Sequence, residues 1–282
     1  MESSCYSSCT EETKASSSKA KKKKVKKAKK VKKELDAKGK KFMDLFKTTE
    51  FMKVYSKTPR ESELSEVYED ICNIVSPIYK REIDKIFDDY QDDPVTAVMK
   101  LWTSKLFISE PINLALILDA NATFDYDPDN LRNYFSQLKT KYKIDYDEVL
   151  KYSMKFIRMI NYFIVEYATC ENTKNRTTYG FISQEIFKNK EVGDTFRIPT
   201  FQRTSEDKEG ALQLQTIENS GDSMYLAIYR IPKGCYNAGK IGERSKYEIE
   251  EETLIPPYTL YTVTKKERNE LWLDVCKDNK SA

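Results

Sequence analysis

The sequence predicts an α+β protein in which a helical lobe comes first and a β-rich lobe follows. Between 42 and 171 apolar residues recur at three- and four-residue steps. From 172 to 282 the apolar runs are short, β-branched or aromatic, and separated by turn residues. Residues 1–41 carry almost no large apolar side chain and cannot bury enough surface to offset the entropy of ordering, so they read as a disordered Ser- and Lys-rich arm. The expected domains are therefore 1–41, 42–171 and 172–282.

Each element has its own signal. Leu64, Val67, Ile71, Val75 and Ile78 form a helical stripe that Pro77 disturbs at its end. Asp93-Pro94 opens a second helix reaching about Phe107, Pro111 a third through Leu118, and a fourth is expected over 128–140. The strongest runs from about 146 to 169, with Val149, Tyr152, Phe156, Ile160, Phe163 and Tyr167 on one face. Lys155, Arg158 and Glu166 keep it from being a membrane span. Strands are expected at 195–199, 211–217, 223–231, 252–255, 258–264 and 270–276. Met224 to Ile231 is apolar on both faces, as a central strand would be, and the last two strands are joined through the hairpin KKERNE.

Composition narrows the function. The 282 residues contain no histidine, which excludes Ser-His-Asp and Cys-His triads and any histidine-ligated zinc. With 8 glycines and no GxGxxG or GxxxxGK[ST], a Rossmann or P-loop phosphate cradle finds no support. The cysteines at 5, 9, 72, 170, 235 and 276 form no CxxC, so no metal site is expected. Mean hydropathy is −0.68, no apolar run is long enough to span a membrane, and MESSCYSSCTEETK lacks the pattern of a secretory signal. An intracellular location, cytoplasmic or nuclear, is the expectation.

The net charge of +3 conceals an asymmetry. Residues 19–41 hold 14 lysines against Glu34 and Asp36, so the remainder from residue 42 onward is acidic. The run KAKKKKVKKAKKVKK attracts anionic partners: nucleic acid through its phosphates, an acidic protein, or lipid. Acylation of Cys5 and Cys9 beside it would make a two-signal membrane anchor, and a solubilising or localising tail is the plainer alternative.

The segment SKYEIEEETLIPPYTLYTV, 245–263, carries the most information. Glu248, Glu250 and Glu252 alternate, so in a strand they share one face, where three carboxylates repel each other. An apolar Thr253-Leu254-Ile255 run follows and Pro256-Pro257 breaks it, which sets the acids at the mouth of a β-core. A solvated acidic turn ahead of a strand is the other reading of the same charges.

This segment resembles the E-x-E region of arginine-specific mono-ADP-ribosyltransferases, the R-S-E class. Glu250 and Glu252 match the two acids. Phe201-Gln202-Arg203-Thr204-Ser205 is similar to that family's F-x-S-T-S strand. Asn175-Arg176-Thr177 stands in the place of its Tyr-Arg-Gly strand. Leu101-Trp102-Thr103-Ser104 with Ile112-Asn113 and Leu116 looks like the pattern of its helical lobe. The histidine-dependent H-Y-E class, which includes the poly(ADP-ribose) polymerases, is excluded.

The resemblance implies an ADP-ribosyltransferase-like split β-sandwich with NAD as co-substrate in its cleft. It gives Glu252 the task of stabilising positive charge on the ribose as the nicotinamide bond breaks. Glu250 would orient an incoming guanidinium and accept its proton. Arg176 would clamp the pyrophosphate, with Thr204 and Ser205 also at the cofactor. Tyr247, in the turn before the acids, would touch the acceptor, a protein with an exposed arginine. Hydrolysis of NAD would be the side reaction. The chain departs from the pattern at Arg203, where the family has the first serine of S-T-S, at Thr177 for glycine and at Asn175 for tyrosine. Either Thr204 and Ser205 supply the missing hydroxyl, or Arg203 pairs with Glu252 and leaves a pseudoenzyme that binds through its cleft and basic arm.

Overall fold

A computed structural model describes residues 61–74, 79–104, 108–120, 140, 146–164, 172–187, 189–212, 224–246 and 251–277. The basic arm, Cys5, Cys9, Tyr247, Glu248 and Glu250 lie outside the described residues, as does nearly all of the helix expected over 128–140. None of the described helices is long and apolar enough to cross a membrane.

Among the described residues five helices precede the sheet: α1 (Glu61–Ile74), α2 (Lys80–Asp89), α3 (Pro94–Trp102), α4 (Ser109–Ala120) and α5 (Tyr146–Phe163). The stripes predicted for α1 and α5 are buried as expected, through Val67 and Ile71 and through Val149, Phe156, Ile160 and Phe163. Lys155 on α5 ties the two together, at 2.7 Å from Glu66 and 2.9 Å from Asp70. Helix α2 was not expected. Its ten residues carry too few apolar positions to stand out, yet Ile83 and Ile86 are buried.

Helix α3 is capped by Asp93, whose carboxylate accepts from the Thr96 backbone N–H. It stops at Trp102, short of the expected Phe107. The hydroxyls of Thr103 and Ser104 turn back to the carbonyls of Met99 and Leu101, at 3.0 and 2.6 Å, and compete with continuation of the helix.

The β-lobe has strands β1 (Arg176–Ser183), β2 (Thr195–Ile198), β3 (Gln202–Ser205), β4 (Met224–Ile231), β5 (Gly239–Lys240), β6 (Glu252–Ile255), β7 (Thr259–Glu267) and β8 (Glu270–Val275), with a short helix α6 (Gln184–Phe187) after β1. Their order across the sheet is β2-β7-β8-β4-β1-β3-β6-β5. As its composition suggested, β4 is central, paired with β1 on one side and β8 on the other. The strand expected at 211–217 does not begin there, because Ala211 and Leu212 belong to a helical turn and 213–217 are outside the described residues. The last hairpin is tighter than KKERNE suggests: β7 runs on to Glu267 and only Arg268 and Asn269 turn.

The sheet is nearly cut in two. Strands β1 and β3 meet through a single pair, Tyr179↔Ser205, whereas β1 and β4 pair along their full length. That seam separates a five-stranded part from the three-stranded β3-β6-β5, the split expected of the β-lobe. Gly180 permits it: a Cβ there would lie 2.9 Å from the backbone oxygen of Arg203. Two cores result. One joins the helices to Phe201, Ile241, Leu254 and Tyr258, and the other lies over the sheet with Tyr229, Ile255, Tyr261 and Leu273. Cys235, in the second, is held as a neutral thiol by burial, which pushes it up to about 12.

Candidate active site

Neighbours on a strand point to opposite faces, so Leu254 in the helix-facing core and Ile255 in the sheet core identify the two faces of β6. Glu252 is on Leu254's face, toward the helices. Register places Ser205 directly opposite Glu252 and Arg203 opposite Leu254. Arg203, Ser205, Glu252 and, across the seam, the half-buried Tyr179 thus share one face.

Glu252 is 2% exposed, and a buried carboxylate requires a counter-charge and hydrogen bonds. Arg203 supplies the first: its Nε donates to Oε1 at 2.8 Å, from a side chain that is 21% exposed. Ser245 reaches the other carboxylate oxygen, with Oγ 3.4 Å from Oε2. The backbone of Glu252 is fixed as well, since its carbonyl accepts from the Ile241 N–H at 2.9 Å. Ser205 is buried, and its Oγ accepts from the Asp207 backbone N–H at 3.0 Å.

The helices reach this face at two points. Trp102 lies edge-on to Phe201, ring centroids 4.8 Å apart, and the Asn113 side chain accepts from the Phe201 N–H at 3.0 Å. Both belong to the stretch singled out in the sequence around Leu101–Ser104 and Ile112–Leu116. They hold the entry to β3.

Two residues expected at the cofactor lie on the face opposite Glu252. Arg176 is on the sheet-core face. Its Nη1 donates to Glu206 at 2.8 Å and to Thr253 Oγ1 at 3.0 Å, and its Nη2 donates to Asn172 at 2.5 Å. Thr253 leaves β6 on the face opposite Glu252, so the structure does not bring Arg176 to the carboxylate. Thr204 is on that same far face, with its hydroxyl on the Thr253 carbonyl at 2.9 Å. Glu251 has φ +43, outside the extended region, and β6 begins only at Glu252. Tyr247 and Glu250 are outside the described residues.

Sequence reasoning passed over Ser245, Gly180 and Tyr179. Gly180 was open to detection, being the one glycine in a β-branched and aromatic run, TTYGFI. Tyr179 and Ser245 carried no signal, because only the register of β1 on β3 and the fold of the 242–246 turn bring them to the site.

A helical lobe followed by a sheet split at one residue pair is the architecture the resemblance implied. Residues 156–281, which hold every described strand of the sheet, match the family model of NAD:arginine ADP-ribosyltransferases. No curated protein matches the chain. Among solved structures it is similar to the Vis toxin, an ADP-ribosyltransferase from Vibrio splendidus, at 16% identity and TM-score 0.42, over 78% of this chain and 86% of that one. It is also similar to the type III effector XopAI from Xanthomonas axonopodis pv. citri, at 12% identity and TM-score 0.48, over 79% and 86%. The eucaryotic mono-ADP-ribosyltransferase ART2.2 is 14% identical at TM-score 0.42, over 79% and 88%. The family match supports ADP-ribosyl transfer from NAD in general.

Proposed function

We propose that the protein transfers ADP-ribose from NAD to arginine side chains of a protein acceptor, with NAD hydrolysis as its side reaction. The observation that carries this reading is Glu252: a buried carboxylate fixed through both oxygens by Arg203 and Ser245, opposite Ser205 and beside the seam of the sheet. A fixed negative charge in a site largely closed to water is worth most where positive charge develops during reaction. NAD would be held by the 172–282 lobe, against the face that carries Ser205 and Tyr179. Glu250 is the acid proposed to orient the acceptor guanidinium and take its proton, and Tyr247 the residue proposed to meet the acceptor. For Arg176 or Thr204 to reach the cofactor, Glu206, Asn172 and Thr253 would have to release them. We therefore give these two the structural part in the proposal. The Lys-rich arm is proposed to engage an anionic partner, separately from the reaction.

One observation favours a second reading. Arg203 stands at 2.8 Å from Glu252 and neutralises the charge the reaction would use, as a binding protein without transferase activity would tolerate. Purified full-length protein, incubated with labelled NAD and an arginine-rich protein acceptor, decides between them. Hydroxylamine-sensitive label on the acceptor, reduced about 10²–10³-fold in Glu252→Gln, supports the transferase. Absence of both label and nicotinamide release from the wild type, with NAD still bound, supports the binding protein. Full activity in both Glu252→Gln and Glu250→Gln would overturn the site assignment.

A further inference from the structure

Helix α3 contains one charge in an otherwise apolar run, PVTAVMKLW. That residue, Lys100, is 8% exposed, an uncommon place for an ammonium unless its protons are used. They are spent far away in sequence. Nζ donates to the carbonyl of Glu243 at 2.6 Å and to that of Ser245 at 2.7 Å, and it lies 5.9 Å from the ring centre of Tyr90. The same turn is held at two more points of the helix. Arg244 donates from Nε to Thr96 Oγ1 at 3.1 Å and lies over the Phe163 ring, and the Lys246 N–H donates to Thr103 Oγ1 at 2.7 Å. Ser245, whose carbonyl Lys100 grips, is the residue whose hydroxyl reaches Glu252.

We propose that Lys100 is a positioning residue: its buried ammonium fixes the 242–246 turn and, through Ser245, one oxygen of Glu252. Two carbonyl bonds from one charged donor are stronger than neutral bonds and leave the turn little freedom to rotate. The helical lobe then does more than cover the sheet, because it sets the conformation of the segment that leads into the acids. In calling that segment acceptor-facing, the inference rests on the proposed transferase reading. The clamp itself does not.

The experiment compares full-length wild type with Lys100→Met, which keeps the length of the side chain and removes the donors. Hydrogen exchange is read on peptides covering 242–246, α5 and β4, together with transfer kinetics in which acceptor and NAD are varied separately. The expected result is exchange at least tenfold faster in 242–246, rates in α5 and β4 unchanged, a KM for acceptor raised about tenfold at an unchanged KM for NAD, and a lower kcat as Glu252 loses its hold on one oxygen. A mere folding defect would lower the active fraction, and with it kcat, without moving the acceptor KM. Exchange in 242–246 within twofold of wild type, or faster exchange spread equally over α5 and β4, overturns the proposal. If Lys100→Met does not fold, the same readings are taken on Lys100→Gln, whose amide keeps two donors and should give intermediate protection. A wild type without transferase activity refutes the functional reading alone, since the exchange result still decides the clamp.

Discussion

The two faces of β3 and β6 each set an arginine beside a glutamate, and the two pairs differ in which member is buried. On the sheet-core face Arg176 divides its guanidinium among Glu206, Asn172 and Thr253, and its acid partner is part exposed. Those bonds join the start of β1 to β6 and to the end of β3, so the arrangement closes an edge of the fold. On the helix-facing side the acid is the buried member, and Arg203 stands between it and solvent. Desolvating a carboxylate is costly, and buried ion pairs often add no more stability than well-packed apolar residues would. That cost is the physical reason the proposal places the reaction at Glu252 and gives Arg176 a structural part.

The largest effect expected of this contrast comes from Arg176→Met. It leaves Glu206, Thr253 and the buried Asn172 without their common donor, and each buried partner left unsatisfied should cost about 1–3 kcal/mol of stability in chemical denaturation. NAD affinity of the remaining folded protein should stay within about threefold. A tenfold loss of NAD affinity at unchanged stability would break the comparison and return Arg176 to the cofactor.

Gly180→Ala tests the seam between the faces. The added Cβ would meet the Arg203 carbonyl at 2.9 Å and the Tyr229 ring at 3.4 Å, and overpacking of this kind costs about 1–3 kcal/mol. With only one β1–β3 pair to resist, β3 should shift and carry Arg203 and Ser205 with it, so transferase activity should fall further than stability does. Equal losses in both would mean that the seam does not position the site.

The smallest effect sharpens the contrast with an ordinary structural ion pair. Hydrogen bonds from Lys155 to Glu66 and Asp70 raise its pKa above the usual 10.5. A folded-state pKa raised above the unfolded value gives stability that is present below the unfolded pKa and is lost as pH rises through the folded one. With Glu66 well exposed, Lys155→Met should cost about 1 kcal/mol at neutral pH, the gap closing above about pH 10.5 in urea melts. Activity should not change, and a change would mean that α1 and α5 transmit to the site.

Much of this was open to the sequence. Periodicity located α1 and α5, the start signals Asp93-Pro94 and Pro111 marked α3 and α4, and the alternating or apolar runs located β4, β6, β7 and β8, because these signals are local and a one-dimensional pattern preserves them. Absence of histidine removed whole classes of chemistry, and Glu252 was marked by its position ahead of an apolar strand. Arg203, standing where a hydroxyl was expected, could be flagged as a partner for that acid but not given a side of the sheet.

What the chain's order could not determine is which residues face one another across strands. Strand β6 begins only at Glu252, after a left-handed backbone at Glu251, and the other two acids of the alternation lie outside the described residues. The one-pair join at Tyr179 and Ser205 decides that Arg176 turns away from Glu252 while Arg203 turns toward it. Lys100 meets the carbonyls of Glu243 and Ser245 across more than 140 residues of chain. Local composition fixes the period of an element and hence its kind. Register, seam and long-range hydrogen bonds depend on how elements dock, and that is set by the packing of the two cores.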